Sequence, residues 1–504
     1  MYISDVNKYI EHLYAINPDV QPATVNTQSL VDPFEIVGMT EAIESIKEHR
    51  SVLVCGDYDC DGITATAILA AALSKAGKPA VGWCIPNPVT NGYGFKADMV
   101  QDMYDLVITV DNGISCIDEL RKCGKDFIVV DHHKGVKEPG CIIIDPSADG
   151  DKSPFHGWCG AGLALKVAQA LGIDDPYLTI LAMVGTVGDK VPVVGDNRDI
   201  MLRGMRYLHE GVYCPPGIDD IMWEGRNGFS DVSRKVCTVI GAGPKVDPDS
   251  GTNVVAALLG GMSRLVTNEM FRDFELKRKE LAMEMRAVAE ADATPGKRVY
   301  VIDSKLRSFR GTYASIVARA TGVPCAVIVE SGGAYSGSVR VPDESGDMYD
   351  VTEYLKRYEW MFTDIGGHAA VAGFTMPASN FGEFIKVMEG LAPVVKSDDE
   401  DVVVVPLSAA KSLQIELDKL QPFGDGFKLP KTAYKVEAAD TMYMDRFGRV
   451  GEHVRIRAND GVQVNFWRKT PEEVQKYIKE HDGIIEGHAE WNTYNGVTRL
   501  QLNV

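Results

Sequence analysis

This sequence predicts an α/β fold built on a parallel sheet, and three observations carry the prediction. Through the first third of the chain, short apolar runs alternate with helical segments, the order that lays strands side by side with helices packed on them. Three of those runs stop at acidic or histidine residues: Asp57, Asp59 and Asp61 after Val52-Leu53-Val54, Asp111 after 105–110, and Asp131-His132-His133 after 127–130. Farther on, residues 297–395 read as a second α/β domain, and the chain from Val402 onward shows short strands with turn signals, the pattern of a small β-barrel.

Residues 1–40 read as a helical lead-in with a proline-containing connector (Pro18, Pro22, Pro33), and Ala42–His49 as a helix. The buried strand through Val54 follows, then a tight turn and a helix over 63–76 that stops at Gly77-Lys78-Pro79. A strand, Ala80–Ile85, leads into the loop 86–95. Strands 105–110, 127–130 and Cys141–Ile144 follow, with a helix at Cys116–Lys122 between the first two. A Gly-rich turn, Gly157–Gly162, opens a helix at Leu163–Leu171, and a second helix, Tyr177–Thr186, runs into Asp189. Phe271–Ala291 has the charge spacing of a connecting helix.

At 504 residues the chain is too long for one core, and three or four domains are expected. With 45% apolar and 24% charged residues, no transmembrane run and no basic-then-apolar start, it reads as a soluble globular protein without a signal peptide or membrane partner. Ten cysteines with no C-x-x-C pair fit buried thiols in a reducing cytoplasm and disfavour a zinc ribbon. The net charge of −19 argues against general adhesion to nucleic acid but leaves room for a local basic footprint.

In a parallel sheet the carboxyl ends of the strands lie along one edge. Five carboxylates and two imidazoles therefore converge on one crevice. Singly, each would be an ordinary capping Asp or surface His; together they form a candidate divalent-metal site, since hard oxygens suit Mg²⁺ and added imidazole tilts the set towards Mn²⁺ or a similar ion. Asp189 ends a helix, where the dipole disfavours an acid, so it is read as a fourth contribution.

Two basic footprints stand out in this acidic chain. Lys297–Arg319 holds six basic residues against Asp303 alone, at a loop leading into a helix N-terminus, which favours phosphate. Ser336–Arg340 and Gly366-Gly367-His368 are further candidates, the glycines allowing close backbone approach. Residues 402–504 balance 14 Lys/Arg against 14 Asp/Glu. There Arg446, Arg449, Arg455, Arg457, Arg468 and Lys469 interleave with Tyr443, Phe447, Phe466 and Trp467, a composition suited to stacking bases and tracking a single strand.

The segments GDYDCDG, VDNG, DHH and VGTVGDKVPVVGDNR, in that order, resemble the four motifs of the DHH phosphoesterase superfamily. Their spacing, with CIPNPVTNGYGF and GWCGAGLALK between them, is similar to the RecJ-like single-stranded-DNA-specific exonucleases. FTDIGGHAAVAGFTM resembles the motif of a DHHA1 domain, and LQPFGDGFKLP the approach to a C-terminal OB domain, so the resemblance covers roughly residues 45–504.

The resemblance implies a 5′→3′ exonuclease that hydrolyses single-stranded DNA with two divalent ions, Mn²⁺ preferred and Mg²⁺ the alternative. It implies Asp59, Asp61, Asp111 (bridging), His132 and Asp189 as ligands and Asp57 as a supporting acid. His133 would face the scissile phosphate, oriented with its neighbour by Asp131. Many relatives have a histidine at the position of Cys55, which is read here as structural. Substrate contacts fall on Lys245, Arg310, Ser338, Arg340, Gly366, Gly367 and His368, and nucleic-acid contacts in the OB-like domain on Arg455, Arg457, Phe466 and Trp467. Pro88 and Lys245 replace arginines associated with gripping the 5′ end, so a strict 5′-phosphate requirement is not implied. The expected domains are 1–40 (lead-in), 41–210 (DHH), 211–294 (helical connector), 295–396 (DHHA1-like) and 402–504 (OB-like), with an acidic linker at 398–401. A cytoplasmic monomer is expected, acting in DNA repair or recombination, with single-strand-binding, helicase or replisome proteins as partners. Two other readings stand beside it: an RNA or short-oligonucleotide phosphodiesterase, and a non-catalytic replication scaffold.

Overall fold

Strand β1 (Ser51–Cys55) is apolar on both faces because it lies inside a sheet covered on both sides. That sheet has the order β2-β1-β3-β4-β5, with β2 at Ala80–Cys84, β3 at Leu106–Val110, β4 at Asp126–Val130 and β5 at Ile142–Ile144. All its pairings are parallel. The chain moves from β1 outward to β2, then returns past β1 to β3, so the strand order reverses between β1 and β3. Open α/β sheets form their crevice at such a point, beyond the carboxyl ends of the strands.

The computed structural model describes residues 1–18, 20, 31–87, 94–331, 333–342, 349–368, 370–392, 402–437, 443–448, 451–458, 461–494 and 497–504. Pro88 and the acidic linker 398–401 fall outside them. Contacts divide the chain into two units, one of Met1–Pro244, Pro248–Asn268 and Glu400–Val504, the other of Lys245–Asp247 and Glu269–Asp399.

In the first unit, α1 spans Val6–Ala15, α2 Met39–Glu48, α3 Cys60–Lys75, α4 Ile117–Lys122, α5 Gly160–Ala170, α6 Pro176–Asp189 and α7 Gly195–Glu210. Helix α3 starts three residues earlier than its apolar run predicts, because the Asp59 side chain caps it by accepting from Gly62 N at 3.1 Å. Nearly every residue of α3 and most of α5 and α6 are buried, which explains their lack of a polar stripe. On the other side of the sheet Leu53, Cys55, Val107 and Val129 pack with Ile117 and Leu120 of α4.

The last motif of the four holds this unit together. Asp196 pairs with the buried Lys166, Asn197 Nδ2 donates to the carbonyls of Gly157 (2.6 Å) and Pro192 (2.9 Å), and the Arg198 guanidinium donates to the carbonyls of Leu420, Gln421 and Pro422. Burying a guanidinium on three carbonyls fastens the later part of the chain to α7.

Helices α8 (Ile218–Glu224) and α9 (Gly251–Leu258) lead to the 29-residue α10 (Arg264–Asp292), which from Glu269 onward counts with the second unit. That unit has a mixed sheet, β6-β7-β8-β10-β9: β6 Val299–Val301, β7 Cys325–Ser331, β8 Ala334–Arg340, β9 Asp364–His368 and β10 Val371–Pro377. Only β6 and β7 are parallel. Helix α11 (Arg310–Thr321) packs with Tyr300 and Val327 on one face; α12 (Val351–Lys356) and α13 (Phe381–Glu389) pack with Ile328 and Val339 on the other.

Residues 402–504 carry two sheets. The first, β11-β12-β16, joins β11 (Val403–Pro406), β12 (Thr432–Lys435) and β16 (Ile484–Glu486), with α14 at Ala410–Leu420. The start of the chain adds to it: Tyr2 bridges Val404, and Tyr9 Oη lies 2.6 Å from Thr432 Oγ1. The second has the order β13-β14-β15-β18-β17: β13 Tyr443–Phe447, β14 His453–Arg457, β15 Gln463–Phe466, β17 His488–Tyr494 and β18 Val497–Asn503. Helix α15 (Pro471–Glu480) follows β15, and only the β15–β18 pairing is parallel. No described helix is long and apolar enough to cross a membrane.

Candidate functional site

The turn after β1 is closed by Gly62, where a Cβ would lie 2.6 Å from the backbone N and O of Asp57. That contact wraps the chain tightly onto the start of α3 and delivers Asp57, Asp59 and Asp61 to the crevice. Asp61 is buried, and its two oxygens accept from the N–H groups of Gly160 (2.7 Å) and Ala161 (2.9 Å) at the start of α5. Helix N-termini favour anions in this way.

Asp111 follows β3 with φ of +60°, a left-handed conformation that Asp tolerates better than most residues. Asn112 braces it, donating from Nδ2 to Val110 O (3.0 Å) and to Cys55 O on the neighbouring strand (3.2 Å). A Cβ on Gly160 would lie 2.5 Å from Asp111 Cβ, so α5 can begin there only with glycine.

His132 and Asp189 complete the cluster. His132 Nε2 lies 3.0 Å from Asp111 Oδ1, 3.8 Å from Asp189 Oδ2 and 4.0 Å from Asp61 Oδ2. Asp189 reaches it as the last residue of α6, followed by Lys190 in a left-handed C-cap. Asp131 is fully buried and accepts from the backbone N–H of Ile114 (3.0 Å), His132 (2.8 Å) and His133 (3.3 Å), and from His133 Nδ1 at 2.7 Å.

Three sets offer ligand atoms within 4.8 Å of one another: Asp57, Asp59 and Asp111; Asp61, His132 and Asp189; and Asp111, His132 and His133. The first is all carboxylate and the second mixes imidazole with carboxylate. The Asp111–His132 contact joins them. All five expected ligands therefore meet, and Asp57, expected only to support them, offers an oxygen to the first set.

The electrostatics fit a cation. Burial, then the charges of its neighbours, pushes Asp111 well above the usual carboxylate range; burial and Asp59 do the same to Asp57. Asp61 rises to about 6 through burial and Asp189. Asp57 Oδ1 is buried with no hydrogen-bond partner among the described residues. Crowded acids of this kind are costly unless protonated or neutralised. His133 is the counterpart: burial alone would lower it, but Asp131 raises it to about 9. Burial alone would raise Asp131; the hydrogen bond and charge of His133 outweigh it and hold the carboxyl low.

Cys55 is in none of these sets. Its Sγ lies 2.8 Å from Cys84 Sγ on the adjacent strand, among the side chains packed with α4, and burial keeps the thiol neutral.

In the second unit, register aligns Arg340 with Val371 and His368 in one row, and Ser338 with Gly373 and Gly366 in another on the same face. Gly367 falls in the row between, opposite Ala372. A Cβ on Gly366 would meet nothing within 4 Å, so the floor is open there. Arg340 Nη1 donates to Ser338 Oγ (2.6 Å) and Val339 O (2.8 Å), and Nη2 would lie 2.6 Å from a Cβ on Gly311, beside Arg310 at the start of α11. Lys245 is exposed on the short helical turn Gly243–Val246.

In the five-stranded sheet the pleat separates two faces. Val454, Ile456, Val464, Phe466, Leu500 and Leu502 are buried. The other face carries Phe447, Arg455, Arg457, Gln463, Asn465, Trp467, Arg499 and Gln501 around a hollow. Phe466, expected on the nucleic-acid face, is 2% exposed and packs edge-on against Tyr477 of α15. It is corrected to a core residue, because neighbours in a strand point to opposite faces and its neighbour Trp467 is at the hollow. Arg499, Asn465, Gln463 and Gln501 were not singled out in the sequence; period-two alternation in β15 and β18 is the signal that would have found them.

The model of the DHH family N-terminal domain matches residues 51–186. The chain is 27% identical to the single-stranded-DNA-specific exonuclease RecJ of Bacillus subtilis (strain 168) across 94% of its own length and 64% of that protein's. With the RecJ of Thermus thermophilus the identity is 27% across 89% of this chain and 67% of that one. The crystal structure of RecJ in complex with Mn²⁺ from Thermus thermophilus superposes with a TM-score of 0.76 at 22% identity, covering 100% of this chain and 78% of that one. A second, of exonuclease RecJ bound to manganese, gives 0.56 at 25% identity over 72% of this chain and 95% of that one. Residues 51–186 thus match a DHH family N-terminal domain, and the chain is similar to RecJ proteins over most of its length. It spans 64% of the length of the Bacillus subtilis RecJ.

Proposed function

We propose that this chain is a metal-dependent exonuclease that hydrolyses single-stranded DNA from the 5′ end. The observation that carries the reading is the pair of ligand sets joined where His132 Nε2 meets Asp111 Oδ1 at 3.0 Å. The names of the relatives, single-stranded-DNA-specific exonucleases, support the substrate class. In this reading Asp57, Asp59 and Asp111 hold one divalent ion, and Asp61, His132 and Asp189 the other, with Asp111 shared. Manganese is the preferred metal, because one set includes imidazole. When bound, such ions supply Lewis acidity, lowering the pKa of water and offsetting charge at phosphorus.

The chain's own residues do the rest. Asp131 fixes the His133 ring through Nδ1 and favours its protonated form, so His133 is placed to donate a hydrogen bond to a phosphate oxygen. Gly160 and Ala161 orient Asp61 through their N–H groups. In the second unit, Arg340, Ser338 and Arg310, with the glycine floor at Gly366 and Gly367, the imidazole of His368 and the outlying Lys245, bind the phosphate backbone. The C-terminal five-stranded sheet, in the order β13-β14-β15-β18-β17, is read as OB-like and binds the strand through Arg455, Arg457 and Trp467. The domain division 41–210, 211–294, 295–396 and 402–504 belongs to the same proposal.

The test is release of nucleotides from end-labelled single-stranded DNA with Mn²⁺, comparing wild type with Asp111→Ala. Near-complete loss in the variant with retained strand binding is expected; undiminished release overturns the shared-ligand reading. Release from a 3′ label before a 5′ label overturns the polarity.

A further inference from the structure

On the open face of the C-terminal five-stranded sheet, three arginines surround the hollow: Arg455, Arg457 and Arg499. Among the described residues lining that hollow none is acidic. One carboxylate nevertheless reaches two of the arginines. Asp445 sits on the edge strand β13, directly opposite Arg455 in the antiparallel register. Its Oδ2 accepts from Arg457 Nη2 at 3.0 Å, and its Oδ1 lies 3.5 Å from Arg455 Nε. The Arg455 guanidinium also lies over the Phe447 ring, 4.8 Å from its centre. Asp445 is thus a single anion seated between two guanidinium groups, beside a stacking ring.

That arrangement is the one a phosphodiester would take up here: one negative charge, two oxygens, two guanidinium donors. Beyond the arginines the hollow offers Trp467, 46% exposed, as a platform for a base. Asn465, 2% exposed, holds an Oδ1 with no hydrogen-bond partner among the described residues, while its Nδ2 donates to Asn503 Oδ1 at 3.2 Å. A buried acceptor left open at a hollow calls for a donor from outside, and the edge of a nucleobase supplies one.

We propose that Asp445 is an internal stand-in for a nucleic-acid phosphate: it holds Arg455 and Arg457 in place when no strand is bound and is exchanged for a phosphate when one binds. This rests on the reading of the C-terminal sheet as a strand-binding face. The exchange sets the affinity of the face, since each strand must displace an anion already there. It also lowers the salt dependence. With Asp445 present, two arginines carry one net positive charge, so fewer counterions leave the strand on binding than two bare arginines would release.

The experiment is fluorescence anisotropy of a labelled single-stranded oligothymidylate with the full chain, with divalent ions chelated so that the strand stays intact. Asp445→Asn keeps the shape and removes the charge; Glu480→Gln on α15 removes the same charge elsewhere. At low salt Asp445→Asn is expected to bind roughly threefold to tenfold tighter than wild type, while Glu480→Gln is unchanged. The slope of log Kd against log salt is expected to steepen by about 0.7, one additional phosphate contact on a single strand. Unchanged or weaker binding by Asp445→Asn overturns the proposal, because Asp445 would then only brace the arginines. The double variant Arg455→Ala/Arg457→Ala tests the underlying reading: binding equal to wild type overturns the strand-binding face itself, and weakened binding leaves the Asp445 result to decide.

Discussion

His132 and Asp111 meet at 3.0 Å, imidazole nitrogen to carboxylate oxygen, across the gap between the ends of two parallel strands. Asp111 also belongs to the all-carboxylate set and His132 to the mixed one, so their contact joins the two. His132→Ala is therefore expected to weaken metal binding as well as cleavage. Mn²⁺ should raise the melting temperature of wild type, since an ion that binds only the folded state stabilises it, and should raise that of the variant much less. Cleavage should fall at least about a hundredfold. An equal rise in melting temperature for both proteins would remove His132 from the ligands.

Gly160 tests how closely the centre is packed. A methyl group there would lie 2.5 Å from Asp111 Cβ and 2.9 Å from its Cγ and Oδ1, so the side chain cannot swing clear without moving its root. Gly160→Ala must push Asp111 away from His132 or shift the start of α5, and overpacking of this kind costs about 1–3 kcal/mol. Since Gly160 N–H also holds Asp61, the shift reaches both ligand sets. Activity is expected to fall far more than stability, measured as release of nucleotides beside a denaturant melt. A variant with wild-type activity would show that the strand ends tolerate displacement.

Much of the centre was legible because strand ends in a parallel sheet must share an edge. Asp111, Asp131 and His132 could be placed together before any contact was known. Asp57 was harder: whether it points to the crevice depends on how tightly Gly62 closes the turn, a contact between segments rather than a property of the motif. Arg198 was legible only as part of a motif, since the carbonyls it grips come from residues 420–422. Likewise, nothing local in Met1–Ile3 announces pairing with Val402 and Val404. Phe466 and Trp467 could have been separated by alternation alone; which of the two is buried required the β15–β18 register, a long-range fact.

Asp145 follows β5 at the same edge but outside the ligand sets, and it titrates differently from an ordinary Asp. Burial, with a contribution from the Asp131 charge, pushes its carboxyl up to about 7. The unfolded chain releases that proton near the ordinary value of 3.8, so between 3.8 and about 7 the folded state holds more protons than the unfolded one. Stability therefore falls as pH rises through this window, and Asp145→Asn removes that share of the fall. Denaturant melts of metal-free wild type and variant from about pH 4 to about pH 8 would show it, because the other acids contribute equally to both. The expected result is a variant that gains relative stability as pH rises and levels off above about pH 7. A difference independent of pH would mean that Asp145 ionises normally in the fold.

Phe466 and Trp467 are neighbours with opposite fates, and substituting each in turn separates folding from binding. Phe466 is 2% exposed and packs against Tyr477; Trp467 is 46% exposed at the hollow beside Phe447 and His453. Phe466→Ala removes a ring from a packed core and is expected to cost about 3–5 kcal/mol of stability. Where the protein remains folded, its affinity for a single strand should stay near wild type. Trp467→Ala should leave stability within about 0.5 kcal/mol, as surface changes usually do. It should weaken strand binding by about 1–3 kcal/mol, the loss of one stacked base. Denaturant melts and anisotropy with a labelled oligothymidylate measure both quantities on the same preparations. If Phe466→Ala lost affinity at full stability while Trp467→Ala bound normally, the register that sets the two faces of this sheet would be wrong by one residue, and with it the placement of Arg455 and Arg457 at the hollow.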